Sequence, residues 1–496
     1  MSYLFSYFSY NSILLIVLAF SIVLSYEIIN GFHDSANSIA TVIYTHALSS
    51  ELAVVTSGIF NFLGVVFGGL SVAYAIVHLI SIDLLLNINS IYGLKAIFSI
   101  LFSAILWNLC TWFFYLPTSS SHTLIGAIVG IDIAYAICNH CSIIDALNFN
   151  KLLNVLLSLI ISPILGLIIA GILVYVLKCF WKVSKEGYCI NTTPKIYEKY
   201  SENIYPPYLV RIILILSSIG VSYSHGANDG QKGIGLIMLV LVCIFPSEYF
   251  VNLNASQYDI NQTKQSISHL EKYYKNNKSN LKDSINIFAT HTVNTKLMFS
   301  PKFFDKRLLN IFHSIQELLK NVFSYKDLNV HQRCELRRSL LYVTEFIEII
   351  NQNSMITSNE KHFLNNLKKN LSCTIEYAPI WIIMLVALSL SIGSMIGWRR
   401  IAITFGEKIG NKDITYAQAI SSQLTAAASI GTASYTGIPV STTHIVSSSI
   451  AGAILVNGDG IQTRTIKNIV IAWILTFPVS IILSGSLYWI SLKLIY

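Results

Sequence analysis

Charge is what this sequence has least of. Only 12% of its 496 residues are Asp, Glu, Lys or Arg, against about 25% in a soluble globular domain. Apolar residues make up 53%. That balance argues against a soluble enzyme and excludes a disordered chain or a fibre. A disulfide pattern is lacking too. Cys110, Cys138, Cys141, Cys179, Cys189, Cys243, Cys334 and Cys373 show no repeated spacing, which excludes a disulfide scaffold. Cys138-Asn-His-Cys141 is one CxxC without a second pair, a weak basis for a metal or redox site. No basic residue precedes Glu27 and no small-residue cleavage site follows the first apolar run. That run therefore reads as a retained span. A basic stripe is also missing. Residues 251–375 hold 17 of the 33 Lys/Arg and 10 of the 25 Asp/Glu, a net of +7, and the rest holds 16 and 15, a net of +1. The +8 total describes one polar insertion, not a nucleic-acid-binding surface.

What is present is a series of long apolar runs. A bilayer span needs about 20 largely apolar residues. Candidate segments are 11–30, 52–82, 93–116, 121–138, 152–181, 208–224, 231–247, 377–398, 415–438 and 466–494, with a shorter one at 441–456. The expected fold class is thus an all-α polytopic membrane protein with about 10–11 transmembrane or re-entrant segments. Such a number suits a transporter or channel. Two Lys-rich connections interrupt the series, 182–207 (Lys182, Lys185, Lys195, Lys199) and 251–375. If 208–224 and 231–247 each cross the membrane, both connections lie on one side, which the positive-inside rule makes cytoplasmic. Within the insertion, Leu308, Leu309, Ile311, Phe312, Ile315, Leu318, Leu319 and Phe323 recur at helical spacing, so a small helical module is expected there. Nothing catalytic appears in it; its roles are a linker, or regulation and partner binding.

The chain repeats itself. Gly31-Phe-His-Asp34 is matched by Gly226-Ala-Asn-Asp229, and Pro117-Thr-Ser-Ser-Ser-His122 by Pro439-Val-Ser-Thr-Thr-His444. The order is the same in both halves, and each Pro motif runs on into a similar apolar stretch. The expected organisation is a first membrane repeat at 1–181, a basic loop at 182–207, and a second repeat at 208–250 and 376–496, divided by the insertion at 251–375. Duplicated halves with interrupted apolar segments mark secondary transporters. Segment parity inverts the copies when read from one motif pair and not when read from the other, so it leaves their relative orientation open.

The motifs have their own chemistry. A proline removes a helix hydrogen bond, and in each Pro motif hydroxyl residues then lead to a His. A helix start frees backbone N–H groups that favour an anion, and hydroxyls add donors without charge. A tetrahedral oxyanion that must bind and leave fits that mixture. Close helix packing by small residues is the plainer alternative for a single run; two copies favour a site. In the other pair, Asp34 and Asp229 stand at matching places, and ionisable groups at membrane depth usually line a pathway. A carboxylate there can bind a cation or carry a proton, and imidazole, the side chain of His33 and His225, is the type of group that can change charge around neutral pH. Alternatively, Asp34 caps a helix or sits in a wet loop. A Ser-His-Asp hydrolase is disfavoured, since no Gly-x-Ser-x-Gly elbow or α/β pattern is present. The chain reads as a non-enzyme.

At these four motifs, read as Gly31-Phe-His-Asp-Ser-Ala-Asn37, Pro117–His122, Ser224-His-Gly-Ala-Asn-Asp-Gly-Gln-Lys232 and Pro439–His444, the sequence resembles the inorganic phosphate transporter (Pit) family, in its bacterial low-affinity type. The resemblance spans nearly the whole chain. It implies two inverted repeats in a bacterial inner (plasma) membrane. It implies uptake of inorganic phosphate with protons, the phosphate travelling as a neutral complex with a divalent metal such as magnesium. No other cofactor is implied. It suggests that Thr118, Ser119, Ser120, Ser121, Ser441, Thr442 and Thr443 surround the phosphate. By the same transfer Asp34, Asn37, Asn228 and Asp229 form the coupling-cation region, with His33, His225 and Lys232 beside them. The expected partners are phosphate, protons and the lipid bilayer, with room for a homo-oligomer.

One departure carries an expectation. Sodium-coupled relatives look like Gly-Ala-Asn-Asp-x-x-Asn in both copies, whereas here His33 replaces the first Asn of copy one and Lys232 the last of copy two. An ammonium beside Asp229 could take the electrostatic place of a sodium ion, which favours proton over sodium coupling. The alternatives are sodium coupling, another oxyanion such as sulfate or arsenate, a passive anion channel, and a sensor whose insertion signals to a partner.

Overall fold

The structure is a computed structural model, which describes residues 10–80, 91–140, 147, 149–180, 190–277, 281, 301–353 and 356–493. Lys182, Lys185, Cys141 and Cys189 lie outside these. The described residues are helical and form no strand; one isolated bridge joins Gly410 and Ile461. In chain order the helices are α1 (Tyr10–Asp34), α2 (Ala36–Tyr44), α3 (Ser50–Phe67), α4 (Ser71–Val77), α5 (Ile91–Phe113), α6 (Ser120–Cys138), α7 (Phe149–Phe180), α8 (Pro194–Ser201) and α9 (Tyr208–Ile244). Then come α10 (Gln257–Asn276), α11 (Pro301–Leu319), α12 (Val330–Gln352), α13 (Ser358–Ser372), α14 (Ile380–Met395), α15 (Arg399–Ile403), α16 (Tyr416–Thr436), α17 (Thr442–Asn457) and α18 (Thr463–Lys493).

Among the described residues seven helical stretches are long and apolar enough to cross a membrane, or eight if α14 and the helical segment after it, bent by 54°, count as one span. α17 is too short for that test and α16 too polar. The stretch expected as one segment at 52–82 divides at Gly68–Gly69, where Gly69 has φ +84°. The opposite happens at 208–224 and 231–247. These are one helix, α9, of 37 residues, about 55 Å long at 1.5 Å per residue. The argument that the two Lys-rich connections share a side therefore loses its premise. Polar residues 224–232 do not break α9, and all their polar side chains but that of Asn228 find protein partners. His225 Nδ1 lies 2.7 Å from Asn61 Oδ1, and Gln231 Nε2 donates to Gly68 O at 2.8 Å and Ala227 O at 2.6 Å.

The chain forms two compact units, one of Met1–Ser81, Lys95–Ile237 and Ala378–Tyr496, the other built chiefly from Met238–Tyr377. In the first, the helices of the two sequence halves exchange partners. α1 packs on α14 of the second half, and α3 packs on both α14 and the 222–230 stretch of α9. α6 packs along α18, and α17 along α7. In each of these pairs the partner comes from the other sequence copy. The α3–α9 contact is close enough to need glycine. A Cβ on Gly226 would collide with the Asn61 carbonyl, and one on Gly64 with that of Tyr223.

The second unit is a helical module with its own core. Ile260, Ile267 and Leu270 of α10, Leu308, Phe312, Ile315 and Leu319 of α11, Leu336, Leu340, Val343 and Phe346 of α12, and Leu364 and Leu371 of α13 are all buried together. Leu309, Ile311 and Leu318 are partly buried against it, and Phe323 lies exposed. Capping boxes start three of its helices, at Ser256/Asp259, Asn329/Gln332 and Thr357/Glu360. Each box satisfies two backbone donors at a helix start. Buried Arg337 donates to Phe250 O at 2.8 Å and Ile375 O at 3.3 Å, tying the entry of the module to its exit.

Candidate anion and cation site

Both Pro motifs lie at breaks between helices. After α5, Tyr115 takes φ +61°; after α16, Gly437 takes φ +74°. The following helices then start alike. Ser119 accepts from His122 N at 3.1 Å to cap α6, and Ser441 accepts from His444 N at 3.2 Å to cap α17. Their backbone angles nearly coincide, at φ −99°, ψ 116° and φ −93°, ψ 106°. The two starts are joined directly, since Ser121 Oγ donates to Val440 O at 2.7 Å. The His122 and His444 rings lie 4.5 Å apart, and His444 stacks on Trp473 at 3.9 Å.

The other pair of motifs supplies charge to the same place. Asp34 ends α1 and Asp229 lies within α9, and both are buried. Ser120 Oγ reaches Asp34 Oδ2 at 3.2 Å and Asp229 Oδ2 at 3.3 Å. Thr443 Oγ1 donates to Asp34 Oδ1 at 2.5 Å, and Thr442 Oγ1 to Asp229 Oδ2 at 3.5 Å. Asn37 Nδ2 donates to Thr443 Oγ1 at 3.3 Å. Lys232 Nζ lies 2.7 Å from Asp229 Oδ1 and donates to Ser121 Oγ at 2.7 Å and Ser120 Oγ at 3.3 Å. His225 Nε2 lies 3.4 Å from Asp229 Oδ2 and 4.0 Å from Asp34 Oδ2. One ligand atom each from Asp34, His225 and Asp229 fall within 4.8 Å of one another, a spacing that could hold a cation.

The remaining expected residues lie one step out. His33 Nδ1 lies 3.3 Å from Asp34 Oδ1, and its Nε2 is 3.4 Å from the hydroxyls of both Thr111 and Thr118. Thr118 donates to Thr111 at 2.9 Å. The Ser119 and Ser441 oxygens serve as caps. Asn228 is fully buried and its amide forms no hydrogen bond. The sequence reading passed over Asn61, which orients His225, and Gln423, which donates to Asn37 O at 3.0 Å and Thr41 Oγ1 at 2.6 Å. It also passed over Glu27. Each is a polar residue inside an otherwise apolar run, the signal that would have found it.

Comparison with known proteins agrees with the motifs. The sequence profile described as "Phosphate transporter family" matches residues 30–484. The chain belongs to the phosphate transporter family. It is 54% identical over 497 residues to the low-affinity inorganic phosphate transporter of Buchnera aphidicola subsp. Baizongia pistaciae, covering 99% of each chain. It is 49% identical to the low-affinity inorganic phosphate transporter PitA of Escherichia coli strain K12, covering 99% of this chain and 100% of that one. A solved structure of a sodium-dependent phosphate transporter shares the fold at a TM-score of 0.53 and 18% identity, covering 97% of this chain and all of that one.

In this family member the buried site is acidic on balance. Among the described residues, Lys232, paired with Asp229, is the one Lys or Arg in contact with this pair of acids. Two carboxylate oxygens within 4.8 Å of each other repel by at least about 3 kcal/mol at an effective dielectric of about 20. The arrangement therefore favours uptake of a proton or a metal cation at the acidic pair. It also holds its hydroxyl donors in check, because a hydroxyl has one proton to give. The Ser120, Thr442 and Thr443 protons point at carboxylates here.

Proposed function

We propose that this chain imports inorganic phosphate across a bacterial inner membrane by symport with protons. Phosphate travels as a neutral complex with a divalent metal such as magnesium, and two inverted repeats expose one site alternately to each side. One observation carries the reading. The first-turn hydroxyls of α6 and α17, one helix from each copy, meet on Asp34, Asp229 and Lys232.

Coupling follows from competition for those hydroxyl protons. With the carboxylates ionised, Ser120, Thr442 and Thr443 donate to them and a phosphate meets negative charge. A cation or proton on the acidic pair takes over the carboxylate oxygens. The hydroxyls then turn their protons to the anion, and Lys232 adds a fixed positive charge. Release of the cation on the inner side reverses both effects and expels phosphate. The Lys232–Asp229 ion pair at 2.7 Å favours proton over sodium coupling, since an ammonium already stands where a sodium ion would neutralise Asp229.

Radiolabelled phosphate uptake into proteoliposomes tests this, with imposed pH or sodium gradients and with or without magnesium. Accumulation driven by the pH gradient is expected, and Asp34→Asn should abolish it while leaving membrane insertion intact. Accumulation driven by sodium alone would sink the proton reading. Absence of concentrative uptake under every gradient would move the protein to a channel or another anion.

A further inference from the structure

Glu27 is a buried acid that the site above leaves unused. It is fully buried on α1, two turns before Asp34, and Glu27, Asn30 and Asp34 fall on one face at spacings of three and four. That face approaches α9 at Gly233, within the electrostatic reach of Lys232 and Asp229. Its carboxyl rests on the backbone of Gly233: a Cβ there would meet Glu27 Cδ and Oε1 at 2.5 Å and Cγ at 2.6 Å. Glycine at 233 thus makes the room that the carboxyl occupies. Asn30 approaches it, but neither oxygen has a well-formed hydrogen bond.

The groups facing it are few. Lys232 and Asp229 act on it from α9, and Asp34 from its own helix. The neighbouring Tyr26 hydroxyl is buried, and the charges of Glu27, Asp229 and Asp34 act on it. α14, packed along α1, carries no titratable residue. Lys232 is within reach electrostatically, but its contacts are to Asp229, Ser120 and Ser121. A buried carboxylate without donors is costly unless it carries a proton or a neighbouring cation offsets it.

We propose that Glu27 carries a coupling proton of this transporter, in addition to the cation or proton taken up at the Asp34/Asp229 pair, and that it is linked to the phosphate site through Lys232. The inference rests on proton symport. Asp34 and Asp229 hold the hydroxyls that would bind phosphate, whereas Glu27 touches none of them. It can therefore change charge without disturbing the anion's donors. When phosphate engages Lys232, less of the ammonium's field reaches Glu27, which then takes a proton from the outer side. When phosphate leaves inward, the field returns and that proton is released inward. Lys232 stays charged throughout, so Glu27 carries one proton across with each phosphate.

The experiment separates exchange from accumulation in proteoliposomes of the full chain. Phosphate-for-phosphate exchange at equal concentrations needs no net proton movement; accumulation under a pH gradient does. Glu27→Gln, which mimics the protonated acid, should keep exchange within about twofold and flatten its pH dependence. Its pH-driven accumulation should fall at least tenfold, and Glu27→Asp should recover part of it. Accumulation by Glu27→Gln at the parent level would overturn the role of Glu27 alone. Loss of exchange together with accumulation, without rescue by Asp, would make Glu27 structural and overturn it too. A parent that exchanges phosphate but never accumulates it under a pH gradient would overturn proton symport, and this role with it.

Discussion

Replacing Lys232 by Asn tests what the ammonium does. At 2.7 Å from Asp229 Oδ1, its attraction is worth about 6 kcal/mol at an effective dielectric of about 20. Desolvation of the pair offsets part of that, but removing one partner alone typically costs about 3–5 kcal/mol, since the other charge stays buried. The variant also loses both lysine hydrogen bonds, to Ser120 and Ser121. It would then present Asp229, Asp34 and an amide carbonyl with no fixed cation among them. A sodium ion at a hundredfold its dissociation constant would return about 2.7 kcal/mol. Lys232→Asn should therefore melt lower than the parent in sodium-free detergent solution and regain stability on adding sodium. In proteoliposomes a sodium gradient should drive its phosphate uptake and not that of the parent. Equal sodium dependence of both proteins, in melting and in uptake, would refute the idea that the ammonium stands in for a cation.

Three further outcomes are expected. Ser441→Ala removes the cap on α17, whose oxygen accepts from His444 N at 3.2 Å; it should cost about 1 kcal/mol of stability and raise the KM for phosphate, while Ser441→Thr keeps both near the parent. Arg337→Ala frees the carbonyls of Phe250 and Ile375, and should cost about 1.5–3 kcal/mol, read as faster limited proteolysis within 251–375 of the membrane-bound chain. In the same module burial pushes the Glu271 carboxyl up, yet hydrogen bonds from Lys275 and Gln316 and the nearby Lys275 and His313 charges hold it net below the ordinary value. Its contribution is fully present above the unfolded carboxyl value and lost as pH falls through the lower folded one; protease resistance of the module should drop in that acid range, less steeply in Glu271→Gln.

The residues that named the family were legible because duplication makes a polar motif in an apolar run hard to ascribe to accident. The breaks before α6 and α17 were legible for a local reason, a proline followed by hydroxyl residues that cap a helix. α9 was not read as one helix. Residues 224–232 look like a polar interruption, and only partners far away in sequence, such as Asn61 and Gly68, let the helix continue. Glu27 was missed because it stands outside every repeated motif. Its meaning depends on Lys232 and Gly233, some two hundred residues on, and no local pattern links them. The core of the insertion followed its helical periodicity through Leu319 and failed at Phe323, which lies past the end of α11.

The exchange of partners between the two halves bears on how the protein is made. α6 emerges from the ribosome long before α18, the helix it will lie against, and α7 long before α17. The first half must wait in the bilayer with its packing faces turned to lipid or to chaperones until the second is synthesised. Neither half should be a stable fragment by itself, whereas two fragments divided near residue 250 and produced together should reassemble. The insertion, which divides the second copy, lengthens the wait for α14, α17 and α18 by the time needed to translate it.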